Sequence, residues 1–353
     1  MFVLTVFIYG DIMDKNLLSL KKKLKFNENG KFKILTISDI HGGPNYSPQL
    51  PVAMKAIVES VKPDLVLLGG DTGGLHGVHL ETKEDLKILL DACCEPMEKN
   101  GIPWAHVFGN HDDNYGLSIE EQEEVYESFP CCVSKWGQKD LDGVGNYVLP
   151  VFSHDESTVL FNVWGMDSHK NVHDLKKSCN LPEETRIVYP VHFNFGRDYS
   201  MPSTNQVFWY YKTSAEFEQY FGRKIPGLMY MHIPIPEMYI ISQNREECKF
   251  CGTNREDVGC GEYNTGLFSA CLERGDVKTL AFGHDHINDW TGEYCGVTFA
   301  YMGSVTYDCY QDDDLRGGRV FEVDENGNVE TYMVRIRDLL GADGDRKEPP
   351  RGV

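Results

Sequence analysis

Two observations predict an α/β fold with neighbouring parallel strands. Short apolar runs alternate with helix-patterned segments through the first third of the chain. One of those runs, Leu65 to Leu68, is uniformly apolar, as a strand covered on both faces must be. The β-α-β-α-β order then implies parallel neighbours joined by right-handed crossovers.

The elements follow in order. Lys21 to Lys25 is a basic, polar approach to the first strand, Phe32 to Ile37. Val52 to Val61 carries apolar residues at helical spacing, and Leu65 to Leu68 is the buried strand. Glu84 to Met97 reads as a helix ending near Gly101, and Trp104 to Phe108 is strand-like again. Tyr147 to Phe152 and Val159 to Trp164 read as a hairpin around the polar turn His154 to Ser157. Asn205 to Phe221 is a helix with aromatics on one side, where packing is favoured over a substrate platform for Phe208 to Tyr211. Leu228 to Met231 and Thr279 to Phe282 are two more buried strands. Val297 to Tyr301, Arg319 to Val323 and Val329 to Val334 are expected to close the domain as antiparallel strands.

These elements suggest residues 1–30 as an N-terminal extension, 31–336 as one domain and 337–353 as a C-terminal tail. After Asp338 the Gly, Asp, Lys and Pro composition predicts disorder. No run reaches the length of a transmembrane helix. Phe2 to Tyr9 is apolar, but Asp11 ends it early and no Lys or Arg precedes it. A degenerate signal peptide and a non-native leader before Met13 both stay open, with the cytoplasm favoured over secretion. Cys248, Cys251 and Cys260 form a C-x-x-C with one further thiol, short of the four ligands of a closed zinc site. Reduced thiols or a loop disulfide fit better.

The chemistry lies at the strand ends. Ile37 is followed by Asp39 and His41, Leu68 by Asp71, Phe108 by Asn110, His111 and Asp112, Met231 by His232, and Phe282 by His284, Asp285 and His286. In a parallel sheet these C-terminal ends line one edge, where ligands commonly bind. Carboxylate, amide and imidazole donors without thiolate suit Mn, Zn or Fe. In an extended D-x-H both side chains point to one face and reach one ion. Asp71 has two oxygens with which to bridge two ions, and the preceding glycines permit a tight turn. With Lys+Arg 34 against Asp+Glu 54, the net charge is −20. Such a surface repels nucleic acid and anionic lipid, so a phosphate substrate has to be held by local charge, for which metal ions are the obvious source.

In order, D-x-H, G-D, G-N-H-D, a lone His and G-H-x-H resemble the calcineurin-like metallophosphoesterase superfamily from about Phe32 to Arg335. His232-Ile233-Pro234-Ile235-Pro236-Glu237, Asn264 to Phe268 and Gly283 to Asp289 resemble its purple-acid-phosphatase-like branch of fungal and plant proteins. The resemblance implies a four-layer α/β/β/α sandwich and a dinuclear centre of two divalent or mixed-valence ions. It assigns Asp39, His41, Asp71 and His286 to one ion and Asp71, Asn110, His232 and His284 to the other. A hydroxide bridging the ions would attack phosphorus in line, and His111 is the candidate general acid or hydrogen-bond donor to the phosphate. True purple acid phosphatases place a metal-binding tyrosine three residues after the bridging aspartate. Gly74 stands there, so no tyrosinate-to-iron colour is expected, and iron is less strongly indicated.

Asp112 and Asp285 are expected to orient neighbouring histidines or to be solvated. His76, His79, His106, His154, His169, His173 and His192 lack such context and are expected in core or surface roles. Asn264 or Thr265 could equally start a helix. The expected function is metal-dependent phosphomonoester hydrolysis, on a phosphorylated small molecule or a phosphoprotein. The rivals are a phosphodiesterase or nuclease on the same scaffold, and a non-catalytic metal-binding interaction protein.

Overall fold

Two β-sheets pack face to face between two layers of helices. The computed structural model describes residues 21–350 except 75–79, 115, 170–181, 183, 185–198, 262 and 263. The apolar start, Met13, His76, His79, His173, His192 and Tyr263 lie outside the described residues.

The five-stranded sheet has the order β12-β11-β2-β3-β4, with β2 (Lys31–Ile37), β3 (Leu65–Leu68), β4 (Trp104–His106), β11 (Gly317–Asp324) and β12 (Val329–Arg335). Here β2, β3 and β4 run parallel, while β11 pairs antiparallel with both β2 and β12. The seven-stranded sheet has the order β1-β5-β6-β7-β8-β10-β9. Its strands are β1 (Leu24–Lys25), β5 (Tyr147–Phe152), β6 (Val159–Gly165), β7 (Gly227–Met231), β8 (Val277–Phe282), β9 (Thr291–Tyr294) and β10 (Val297–Tyr301).

Period-two alternation makes the layers. Leu65 and Leu67 of β3 join the core between the sheets, and Val66 and Leu68 face the opposite way. On β7, Leu228 and Tyr230 face the inter-sheet core, and Met229 and Met231 the outer one. Over the five-stranded sheet lie α1 (Gln49–Val61), α2 (Lys83–Asn100) and α3 (Ile119–Ser128). Helix α1 buries Leu50, Ala53, Met54, Ile57, Val58 and Val61, the helical stripe its sequence predicts. Each fully buried Leu, Ile, Val or Met side chain contributes about 1.5–3 kcal/mol. Helix α2 starts with a Thr82–Asp85 capping box and ends at Gly101, whose φ of 64° is left-handed. Over the seven-stranded sheet lie α4 (Thr204–Phe221), α5 (Pro236–Gln243) and α6 (Leu267–Arg274). Trp209 and Tyr210 of α4 pack into that layer, whereas Phe208 stays largely exposed.

Three sequence expectations need correction. The closing strands are not one antiparallel set: β10 pairs parallel with β8 and antiparallel with β9, in the other sheet from β11 and β12. The residues after Asp338 are not disordered as far as 350. Helix α7 (Ile336–Leu340) and a 3-10 turn (Gly341–Gly344) fold back, Tyr307 Oη donates to the Gly344 carbonyl at 3.0 Å, and Arg346 donates to the Cys309 carbonyl. Backbone and side-chain hydrogen bonding holds that segment despite its polar composition. Finally, Leu24–Lys25 is not merely an approach, because it pairs parallel with Val151 and Phe152 as an edge strand. Cys248 and Cys251 carry free thiols, and the Cys248–Cys251–Cys260 group is not among the metal-capable clusters of the described residues.

The two sheets are joined beside the C-terminal ends of their central strands. The chain leaving β10 hydrogen-bonds to both: Met302 N donates to the Phe282 carbonyl at 2.7 Å, and Ser38 N donates to the Gly303 carbonyl at 2.9 Å.

Candidate metal centre

Five strands, three from one sheet and two from the other, bring all eight predicted residues to this seam. Asp39 and His41 follow β2, Asp71 follows β3, Asn110 and His111 follow β4, His232 follows β7, and His284 and His286 follow β8. Asp39, His41, Asp71, His232, His284 and His286 are buried; Asn110 and His111 are half-buried at the mouth.

The backbone here differs from the extended D-x-H expected from the sequence. Asp39 and His41 have φ of 52° and 50°, Asp71 has 49° and His284 has 74°, all left-handed and rare for side-chain-bearing residues. The cause is a zipper between strand ends: Asp39 N donates to the Gly70 carbonyl at 3.0 Å and His41 N to the Asp71 carbonyl at 2.9 Å. The side chains still converge, through this turn rather than through a pleat. Such conformations persist where the surroundings over-determine them, as at functional sites. Gly109 is required by proximity, since a Cβ there would lie 2.2 Å from Asp71 Oδ1.

Asp112 and Asp285 orient backbone rather than imidazole rings. Asp112 accepts from the backbone N–H groups of Asp71 at 2.9 Å, Gly73 at 3.0 Å and Gly109 at 2.7 Å. Burial and the charge of Asp71 push Asp112 up to about 7 against those bonds. Asp285 accepts from Gly259 N at 3.1 Å and from the Tyr301 hydroxyl. His106, expected in a core or surface role, is buried with its ring nitrogens on Ser134 Oγ at 2.6 Å and Glu123 Oε2 at 2.8 Å. Asn264 caps the approach to α6 by accepting from Gly266 N at 2.8 Å, and donates to Glu237 Oε1 at 2.8 Å. Two of the motif segments that carried the resemblance are therefore in contact.

The donor chemistry fits cations. His41 and His286 meet Nε2 to Nε2 at 3.0 Å. Their Nδ1 atoms donate to backbone carbonyls, at Gly74 (3.3 Å) and Tyr310 (2.8 Å), so each Nδ1 carries the hydrogen. In the neutral rings both facing Nε2 atoms are then lone pairs. His232 repeats the pattern: Nδ1 donates to the Gly69 carbonyl at 2.8 Å, and Nε2 faces Asp71 Oδ2 at 3.1 Å and Asn110 Oδ1 at 3.1 Å. Asp39 Oδ1 is buried without a hydrogen-bond partner among the described residues, 3.4 Å from His286 Nε2. Neutral rings at these distances would repel, so the pocket calls for positive charge among them, as protons on His232 and His286 or as a metal ion.

Electrostatics say the same. Burial opposes charge on Asp39, but His286 and His232 outweigh it and hold the carboxyl down at about 2. Asp71 is held well below its usual range against the same burial, by His232 and His41. Burial would lower His232, yet Asp71 and Asp39 raise it to about 9. Burial prevails at His41, lowered to about 4, and at His284, lowered to about 3 with His232 adding repulsion. The carboxylates draw positive charge into the pocket, and the imidazoles share it unevenly.

His111 stands beside this cluster. Its backbone N donates to Asp71 Oδ1 at 2.8 Å, and its ring centroid is 5.5 Å from that of His41. Asn114 Nδ2 donates to His111 Nδ1 at 2.6 Å, which leaves Nε2 to carry the ring hydrogen. Gly74, with φ of 68°, is closed to any side chain, because a Cβ there would lie 2.2 Å from the His111 carbonyl oxygen. One residue was not foreseen. Cys309 Sγ forms a cluster with ring nitrogens of His41 and His286, all within 4.8 Å of one another. No spacing motif marks it, since it arrives on the loop after β10.

The two sheets, the flanking helices and the seam of Asp, Asn and His donors define a metallophosphoesterase-type domain. Residues 32–288 match the calcineurin-like phosphoesterase family, and the chain belongs to it. Membership implies a dinuclear metal centre and phosphate-ester substrates. The chain is 30% identical over 318 residues to "Probable inactive purple acid phosphatase 14" of Arabidopsis thaliana, covering 82% of this chain and 74% of that protein. It is 26% identical to "Phosphatase DCR2" of Saccharomyces cerevisiae, over 76% of this chain and 46% of the yeast protein. In fold it is similar to a dimetal phosphatase from Danio rerio, with a TM-score of 0.51 at 14% identity, covering 86% of this chain and 99% of that one. No described helix is long and apolar enough to cross a membrane.

Proposed function

We propose that the chain is a metal-dependent phosphatase acting on phosphomonoesters. Asp39, His41, Asp71 and His286 would hold one ion, and Asp71, Asn110, His232 and His284 the other. The observation that carries this is the convergence of imidazole nitrogens and carboxylate oxygens, with His41 Nε2 and His286 Nε2 at 3.0 Å and Asp71 Oδ2 3.1 Å from His232 Nε2. When bound, two such ions lower the pKa of water toward about 7 and neutralise phosphate charge.

The chain's own residues supply position and a proton. Asp71 and His111 are tied together by the His111 N–H bond to Asp71 Oδ1, so the donor at the mouth is fixed relative to the proposed bridging carboxylate. His111 Nε2–H is placed to donate to a phosphate oxygen or to the departing alkoxide. Asp112 gathers three backbone N–H groups from the β3 and β4 turns, which keeps those turns in register.

Small phosphorylated molecules and phosphoproteins fit a surface of net charge −20 better than long nucleic acids do. The test is turnover of p-nitrophenyl phosphate against bis-p-nitrophenyl phosphate by protein loaded with Mn, Zn or Fe. Faster monoester turnover is expected. Faster diester turnover would turn the assignment to a phosphodiesterase. Two bound ions with neither ester hydrolysed would leave a metal-binding interaction protein, the reading that the word "inactive" in the Arabidopsis relative's name keeps in view.

A further inference from the structure

Cys309 is buried, at 4% exposure, on the loop between β10 and β11. Its Sγ lies in one cluster with ring nitrogens of His41 and His286, every pair within 4.8 Å. The loop is fixed where it carries this sulfur. Thr306 Oγ1 accepts from Cys309 N at 2.9 Å and from Asp308 N at 3.1 Å, and Arg346 donates to the Cys309 carbonyl. The next residue, Tyr310, grips His286 twice: its carbonyl accepts from His286 Nδ1 at 2.8 Å, and its ring stacks on the imidazole at 4.1 Å between centroids and 10° between planes.

A buried thiol beside two histidines is by itself unremarkable packing. Here an independent feature marks the same spot as a cation site. Asp39 Oδ1, in a side chain that is 1% exposed, has no hydrogen-bond partner among the described residues and lies 3.4 Å from His286 Nε2. Gly74 leaves no place for the metal-binding tyrosine of true purple acid phosphatases, because a side chain there would strike the His111 carbonyl.

We propose that Cys309 is a thiolate ligand of the ion held by Asp39, His41, Asp71 and His286, so that this position is softer than its partner. The inference rests on the dinuclear reading above. On binding, a metal–sulfur bond forms and the thiol proton leaves to solvent. The thiolate supplies one negative charge, tightens the site for Zn, Co or Fe relative to Mg, and makes the centre sensitive to thiol oxidants.

The test uses full-length apoprotein reloaded with Co(II), whose thiolate complexes absorb strongly in the near ultraviolet. Wild type is expected to bind two ions and to show this band. Cys309→Ser and Cys309→Ala should bind their two ions without it, with the weaker-bound ion losing at least the roughly tenfold affinity that even outer partners of a metal site contribute. Wild type holding two ions with no thiolate band would overturn the proposal and leave the dinuclear reading intact, as would a band that survives in both variants. Wild type binding no Co(II), Zn or Mn at all would sink the dinuclear reading, and the proposal with it. The wild-type band is read without any variant, so misfolding of a substituted chain does not shield the proposal.

Discussion

His41 and His286 face each other Nε2 to Nε2 at 3.0 Å, each with its Nδ1 turned to a backbone carbonyl. This contact is unfavourable between neutral rings and is relieved by a cation. Chelation is therefore expected to lower thermal stability, and Mn or Zn to restore it in proportion to the logarithm of concentration. At a hundred times Kd the gain is about 2.7 kcal/mol. A melting temperature indifferent to chelator and metal would contradict this.

His111 stands edge-on to His41 at 5.5 Å between ring centroids, at the mouth of the cluster, and Asn114 fixes its tautomer. His111→Ala should lower kcat on p-nitrophenyl phosphate by about 100-fold or more, with two ions still bound by elemental analysis. Asn114→Ala should give a smaller loss of the same kind. Unchanged turnover in His111→Ala would remove it from the proton-donor role.

Gly74 combines a φ of 68° with the His111 carbonyl 2.2 Å from where a Cβ would stand. Gly74→Ala is expected to destabilise the fold by about 1–3 kcal/mol, read as a lower denaturation midpoint at unchanged slope. Gly74→Tyr should be worse and should not produce a tyrosinate–iron colour, because the backbone cannot carry the ring toward the ions.

Glu237 is buried with Oε2 lacking a hydrogen-bond partner among the described residues, and burial raises its pKa above 4.5 although Asn264 donates to Oε1. An acid raised in the folded state costs stability only where the unfolded chain has ionised. The penalty is absent below about pH 4.5, grows as pH rises through that value, and is complete above the folded pKa. Glu237→Gln, which keeps the acceptor for Asn264, should therefore gain on wild type between pH 4 and pH 7. Urea unfolding at the two pH values measures the difference, and a constant offset would refute the cause.

The parts of the site legible in sequence were those written as local words. D-x-H, G-N-H-D and G-H-x-H each sit just past an apolar run, so strand and donor are read together. The buried strands were equally plain, because burial on both faces removes the polar residues that blur a boundary. Three features left no such trace. The left-handed turns at Asp39, His41, Asp71 and His284 arise from hydrogen bonds between strand ends, which no single segment contains. The sheet membership of β10 depends on which neighbours it finds. And Cys309 reaches His41 and His286 only because the chain after β10 crosses from one sheet to the other. The tail misled for a related reason: its polar residues are satisfied by distant groups such as the Tyr307 hydroxyl.

That crossing at residues 302–305 bears on how the protein is made. The donors belong to both halves of the sandwich, and the segment stitching the halves together comes after every one of the Asp, Asn and His donors in the chain. During synthesis Asp39, His41, Asp71 and Asn110 emerge first, while β2 still lacks its neighbour β11, and they are only a fragment of the proposed cage. On the proposed assignment the second ion's ligands His232 and His284 come later in the chain, and the stitch later still. On the proposed ligand sets, capture of both ions is expected only after the stitch has emerged, so a chain ending before it should bind them poorly although it carries every Asp, Asn and His donor.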